Sequence, residues 1–170
     1  DHKVTDLLYM CHQLSSHGLH FEEVFSLIQQ RYESICHELD LKTPIRDILD
    51  QVREEITIGA SRDHCASRGE YINARILADY LQAEFIDASE IIRFDDRGIF
   101  DEQKTQELVE ARLLKADRAV IPGFYGADEE GNIITFSRGG SDITGSILSA
   151  ALDSKLYENW TDVSGFLKAD

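Results

Sequence analysis

Phe136-Ser137-Arg138-Gly139-Gly140-Ser141-Asp142-Ile143-Thr144 is the stretch from which the fold can be read. Two adjacent glycines strip side chains from the backbone and let a ligand approach the main chain closely. Ser141 or Asp142 is placed to cap a helix that runs on through Ile147, Leu148, Ala151 and Leu152. A helix start offers unpaired N–H groups and a partial positive charge, so it favours an anion. Arg138 adds a planar guanidinium suited to a carboxylate or phosphate. Together these residues form an anion-binding corner. Taken alone, the stretch also fits a plain turn with a cap.

Around this corner the second half of the chain alternates between strands and helices. Phe85 to Ala88 and Ile91 to Phe94 are short strand candidates, and Thr105 to Lys115 is helical. Arg118 to Pro122 is an apolar strand. Glu129-Glu130-Gly131-Asn132 reads as the tip of a hairpin entering Ile133 to Phe136. Leu156 to Trp160 is expected as a further strand, with Trp160 in the core. Such alternation favours an α/β sheet with parallel members.

The first half reads as helices. Val4, Leu7, Leu8, Cys11 and Leu14 recur at helical spacing up to His17-Gly18. Phe21 to Leu39 carries a second apolar stripe. Thr43 is expected to cap a third helix with Pro44 at its first position. Ser67 is expected to open a fourth, with Tyr71, Ala74, Leu77, Ala78 and Leu81 facing inward. Ser67 and Glu70 have the spacing of a capping box, in which the glutamate reaches back to the serine N–H.

The chain has 170 residues, 42% of them hydrophobic, which is enough for one domain with a real core. The formal net charge of −15 argues against general affinity for nucleic acid or anionic membranes. No apolar run approaches the roughly 20 residues needed to span a bilayer. Cys11, Cys36 and Cys65 are an odd count at wide spacing, so neither a disulfide framework nor a zinc site emerges. A reduced cytoplasm is the expected setting. Cys11, His12, His17 and His20 match no usual metal-ligand spacing, and no metal site is expected.

Two further segments join the glycine corner: Ser67-Arg68-Gly69-Glu70 and Trp160-Thr161-Asp162-Val163-Ser164-Gly165. In this order and spacing the three resemble the S-x-G-E, G-R-G-G-S-D-x-T and W-T-D-V-x-G motifs of the aspartate kinases of the amino-acid kinase family. Val120-Ile121-Pro122-Gly123-Phe124-Tyr125-Gly126 is similar to that family's strand and Gly-Phe-x-Gly turn. The resemblance implies an α/β, three-layer fold with a mostly parallel central sheet, preceded by a helical segment and incomplete at both ends. It implies one partial catalytic domain over 1–170. Its helical, substrate-side part covers about 1–83, and its sheet and nucleotide side about 84–170.

The resemblance also implies roles. Glu70 would receive the amino group of L-aspartate. Arg138 would hold a substrate carboxylate, with Gly139, Gly140 and Ser141 supplying N–H groups and Ser141 a hydroxyl. Asp142 would stand at the reacting centre. Thr161 and Asp162 would contact ATP, carried with Mg2+, and Leu167 stands where many relatives have a tyrosine near the adenine. The reaction implied is phosphorylation of the aspartate side-chain carboxylate, the entry to lysine, threonine and methionine synthesis. The parent protein is expected to be a homo-oligomer.

The chain contains no K-F-G-G-T-S segment, which in the family brings a lysine to the phosphates. Phosphoryl transfer depends on cations that neutralise developing charge. The 170-residue polypeptide by itself is therefore expected to be inactive or nearly so. Three alternatives stand beside this expectation. One is a different family member acting on glutamate, acetylglutamate, carbamate or UMP. Another is a non-catalytic binding remnant, and the third is a helical interaction domain within residues 1–83.

Overall fold

The computed structural model describes residues 3–137 and 140–160. Four helices come first: α1 (Val4–Ser16), α2 (Glu22–Glu38), α3 (Ile45–Thr57) and α4 (Arg62–Leu81). Each follows its apolar spacing. Leu7, Leu8 and Cys11 are buried on α1, and Phe25, Ile28, Tyr32 and Cys36 on α2. Ile45, Ile48, Leu49, Val52 and Ile56 are buried on α3. These side chains meet Cys65, Ile72 and Ile76 of α4 in one continuous apolar core. Glycine ends two of the turns: Gly18 and Gly59 take φ of 68° and 93°, where other L-residues are strained.

Three expectations in this half fail. Thr43 does not cap α3; its N–H and hydroxyl both donate to Asp79 Oδ2 of α4, each at 2.8 Å. Pro44 occupies the cap position, and α3 begins at Ile45. Ser67 does not open α4 either. Ser61 does, accepting a hydrogen bond from the His64 N–H at 3.1 Å. The turn at Gly59 delivers the chain to Ser61, so nucleation six residues earlier leaves Ser67 inside a continuous helix. There the Ser67 hydroxyl donates to His64 O and accepts from Arg68. Of the positions expected to face inward on α4, the alanines do and two leucines do not. Ala74 and Ala78 face the sheet side, whereas Leu77 and Leu81 are exposed.

The rest of the chain builds a second core on the other side of α4. β1 (Glu84–Phe85) pairs in parallel with β2 (Ala119–Val120), with α5 (Ala88–Ile91) and α6 (Glu102–Leu113) between them in sequence. β3 (Tyr125–Ala127) and β4 (Ile133–Thr135) form an antiparallel hairpin. Its tip is held by the Asp128 carboxylate, which accepts from the Glu130 and Asn132 N–H groups. A parallel bridge from Arg93 to Ala127 joins the segment after α5 to β3. The helix α7 (Gly140–Ala151) follows the hairpin. The architecture is a helix-rich α/β fold with a small parallel sheet.

Boundaries shift for local reasons. Asp87 leaves the expected strand 85–88 to cap α5 through the Ser89 N–H and hydroxyl. Asp101 caps α6 at Glu102, earlier than Thr105. Leu156 to Trp160 is not a strand. A strand needs a ladder partner, and none of the described residues pairs with this segment. Trp160 is 87% exposed rather than in the core. A buried polar feature stands out between the two cores. Arg68 is only 5% exposed, and its guanidinium lies 4.5 Å from the Tyr71 ring and 5.5 Å from the Tyr125 ring. The Tyr125 hydroxyl in turn donates to Asp87 at 2.9 Å. Among the described residues, the two tyrosine rings and the Ser67 hydroxyl stand in for a carboxylate partner.

Candidate functional site

Because α4 starts at Arg62, Glu70 lies in mid-helix and is not needed for capping. A glutamate in the first turn would be used on its own cap. A glutamate nine residues into a helix that starts at Arg62 has no free N–H of its own helix to reach. Among the described residues Glu70 makes no hydrogen bond or ion pair. Burial raises its pKa above the ordinary carboxylate range. Desolvation without a partner is the physical cause. Burial first, and then the same carboxylate, push up the pKa of Tyr32, whose hydroxyl donates to Gly69 O at 3.0 Å.

Glu70 lines a cavity of about 210 Å³ with Thr5, Phe124, Gly140, Ser141 and Asp142. Four pieces of chain meet there: the first turn of α1, the middle of α4, the turn between β2 and β3, and the first turn of α7. Glycine permits the meeting. A Cβ on Gly123 would sit 2.7 Å from Ser141 Cα, and one on Gly140 would sit 2.8 Å from Phe124 Cα. Both distances are below any real Cβ contact, so only glycine allows these two backbones to touch.

α7 begins at Gly140, which places Ser141 and Asp142 inside its first turn rather than before it. Free N–H groups of that turn and the helix dipole suit an anion or a hydrogen-bond acceptor. Asp142 is exposed and oriented: the Asn159 side-chain amide donates to its Oδ1 at 3.2 Å. Tyr157 reaches α7 at Gly145, so residues 157 to 159 run along the start of that helix.

Four of the sequence-predicted site residues, Glu70, Gly140, Ser141 and Asp142, therefore line one cavity. Arg138, Gly139, Thr161, Asp162 and Leu167 lie outside the described residues. Thr5 and Phe124 were not foreseen at the site. Thr5 is hidden in the apolar repeat of α1, which is legible as packing alone. Phe124 sits in the Gly-Phe-x-Gly turn, where its φ of 81° could have signalled it only from coordinates. A larger surface hollow of about 760 Å³ is lined by other residues, Glu33, His37 and Arg46 among them. Glu33 and Arg46 are already paired with each other there at 3.1 Å. No group of three or more potential metal ligands occurs among the described residues. No helix among them is long and apolar enough to cross a membrane.

Known proteins share this arrangement of chain. The aspartate kinase of Clostridium acetobutylicum is 55% identical and superposes with a TM-score of 0.95, covering 100% of this chain and 39% of that one. Aspartokinase III of Escherichia coli, solved in complex with aspartate and ADP, is 25% identical with a TM-score of 0.81, over 95% of this chain and 41% of that one. Aspartokinase 3 of Bacillus subtilis is 35% identical over 96% of this chain and 39% of its own length. The chain thus spans about 40% of the length of these relatives. The sequence profile of the amino acid kinase family matches residues 5–170, nearly the whole chain. With its fold, its motifs and its aspartokinase relatives in agreement, the chain belongs to the amino acid kinase family.

Proposed function

We propose that this chain carries the amino-acid side of an aspartokinase site. The whole protein would transfer the γ-phosphoryl group of MgATP to the side-chain carboxylate of L-aspartate. One observation supports this most. Glu70 is a desolvated carboxylate with no partner among the described residues, and it shares a small cavity with the first turn of α7. An ammonium group would relieve that desolvation, and helix N–H groups would take an acceptor on the same ligand. The Escherichia coli relative solved with aspartate and ADP is in keeping with such a ligand.

In this proposal Glu70 receives the ammonium of aspartate. Ser141 and the N–H groups around Gly139 and Gly140 would donate to acceptor oxygens of the aspartate, and Arg138 would hold a carboxylate of it. The side-chain carboxylate is already ionised, so no base is needed. One of its oxygens bonds to the γ-phosphorus as the bond from phosphorus to the bridging oxygen of ADP breaks. Asp142 stands beside the reacting groups and helps to organise them. Thr161, Asp162 and Leu167 would lie on the nucleotide side, and Mg2+ would travel with the nucleotide. Residues 1–83 would then be the substrate-side part and 84–170 the nucleotide-side part of one domain. Homo-oligomeric assembly of the whole protein in the cytoplasm belongs to the same proposal.

Calorimetric titration with L-aspartate, with L-glutamate as competitor, tests it. Saturable binding of aspartate, preferred over glutamate and lost in Glu70→Gln, is the expected result. Equal affinity for glutamate would move the assignment to another member of the family. Undiminished binding to Glu70→Gln would remove Glu70 from the site.

A further inference from the structure

Thr144 sits one half-turn beyond Asp142 on α7 and is 2% exposed. Its hydroxyl is doubly used. It donates to Gly140 O at 2.9 Å and accepts from the Phe124 N–H at 3.1 Å. Phe124 is one of four non-glycine residues with positive φ among the described residues. The other three, Asp40, Gln82 and Asp153, are polar and lie just beyond the ends of α2, α4 and α7. Helix ends commonly close in the left-handed region. Phe124 has no such excuse: it is aromatic, lies between two strands, and lines the cavity beside Glu70. Such a conformation persists only when its surroundings over-determine it.

Those surroundings are specific. The Phe124 N–H is held by Thr144, and its C=O accepts from the Phe136 N–H at 2.9 Å. Gly140 and Gly123 bring the backbones of the turn and of α7 into direct contact. Thr144 therefore ties a strained wall residue of the cavity to the helix that presents Ser141 and Asp142.

We propose that Thr144 is a positioning residue, whose hydroxyl holds Phe124 in the left-handed backbone conformation and so shapes the cavity beside Glu70. Its effect on ligand rests on the amino-acid-site proposal above, whereas the lock itself does not. Without the hydroxyl, the Phe124 N–H would lose its acceptor and the residue would relax towards negative φ, carrying one wall of the cavity with it.

Two measurements on the full chain test this, with Thr144→Val and Thr144→Ser. Amide hydrogen exchange at Phe124, followed by NMR without ligand, should quicken by about tenfold or more in Thr144→Val. Affinity for L-aspartate should fall by about tenfold or more in the same variant. Thr144→Ser, which keeps the hydroxyl, should restore both. Unchanged exchange and affinity in Thr144→Val would overturn the proposal, as would equal damage in both variants. If the unsubstituted chain binds no aspartate, the amino-acid proposal falls, and Phe124 exchange alone decides for or against the lock. If Thr144→Val does not fold, Phe124→Gly is added, because glycine takes positive φ without strain. Recovery of folding supports the lock, and failure of the double variant overturns it.

Discussion

Replacing Gly140 by alanine sets two effects of opposite sign against each other. Alanine is favoured over glycine in a helix by about 1 kcal/mol, and by less in the first turn. Propensity alone therefore predicts a more stable protein. The added Cβ, however, would stand 2.7 Å from Phe124 Cδ2, 2.8 Å from Phe124 Cα and 3.2 Å from Phe124 O. The ring could swing away, but the backbone could not, since both its N–H and its C=O are engaged. Overpacking of this kind costs about 1–3 kcal/mol. The clash wins, with a net loss of roughly 1–2 kcal/mol. For a chain of this size that is a drop in Tm of about 2–4 °C per kcal/mol. Gly145→Ala provides the contrast within the same helix. Its Cβ would meet the Tyr157 hydroxyl at 2.6 Å, the far end of a flexible side chain on an irregular segment. Propensity should win there, leaving stability equal or higher. Urea unfolding followed by circular dichroism measures both. A Gly140→Ala protein as stable as the parent would refute the backbone contact between α7 and Phe124.

Three other outcomes follow from named residues. Burial raises the Glu70 pKa, so folding favours the protonated form, and that stability is lost as pH rises through the folded value. Glu70→Gln should therefore melt higher than the parent at pH 7–8, with the gap closing below the ordinary carboxylate range near 4.5; a lower melting point at pH 7 would contradict an unpaired carboxylate. Ser61→Ala should cost about 1 kcal/mol by urea unfolding, because Ser61 caps α4; no loss would return the helix start to a later residue. Burial pushes Cys11 up to about 12 and Cys65 up to about 11, and raises Cys36 as well. All three thiols should resist an alkylating reagent at pH 8 in the folded chain and react on unfolding, and prompt labelling of Cys11 would contradict its burial.

Short-range chemistry is what the sequence reveals well. The stripes of α1, α2 and α3 are legible because a helix buries every third or fourth residue, whatever lies opposite. The hairpin tip at Glu129 to Asn132 is legible because Asp128 and Gly131 satisfy it locally. Of the motif residues, Glu70, Gly140, Ser141 and Asp142 line one cavity, and Arg138, Gly139, Thr161, Asp162 and Leu167 fall outside the described residues. The failures have two causes, a helix start signal that lies further upstream and a partner that lies far away in sequence. Ser67 and Glu70 look like a capping box only until Ser61 starts the helix. Thr43 looks like a cap only until Asp79, 36 residues away, accepts both of its donors.

Legible along the chain were an α/β organisation and, through the likeness of three ordered motifs, the amino acid kinase family and the motif residues to look for. The α/β expectation rests on periodicity and turn residues and the family on the resemblance of its motifs, and all of these are properties of neighbours along the chain. Packing, by contrast, brings Thr5 and Phe124 to Glu70 and sets the Thr144 hydroxyl against the N–H of Phe124, which stands at positive φ. Each of these depends on contact between segments far apart in sequence, and on glycines whose missing side chains matter only once another backbone lies against them.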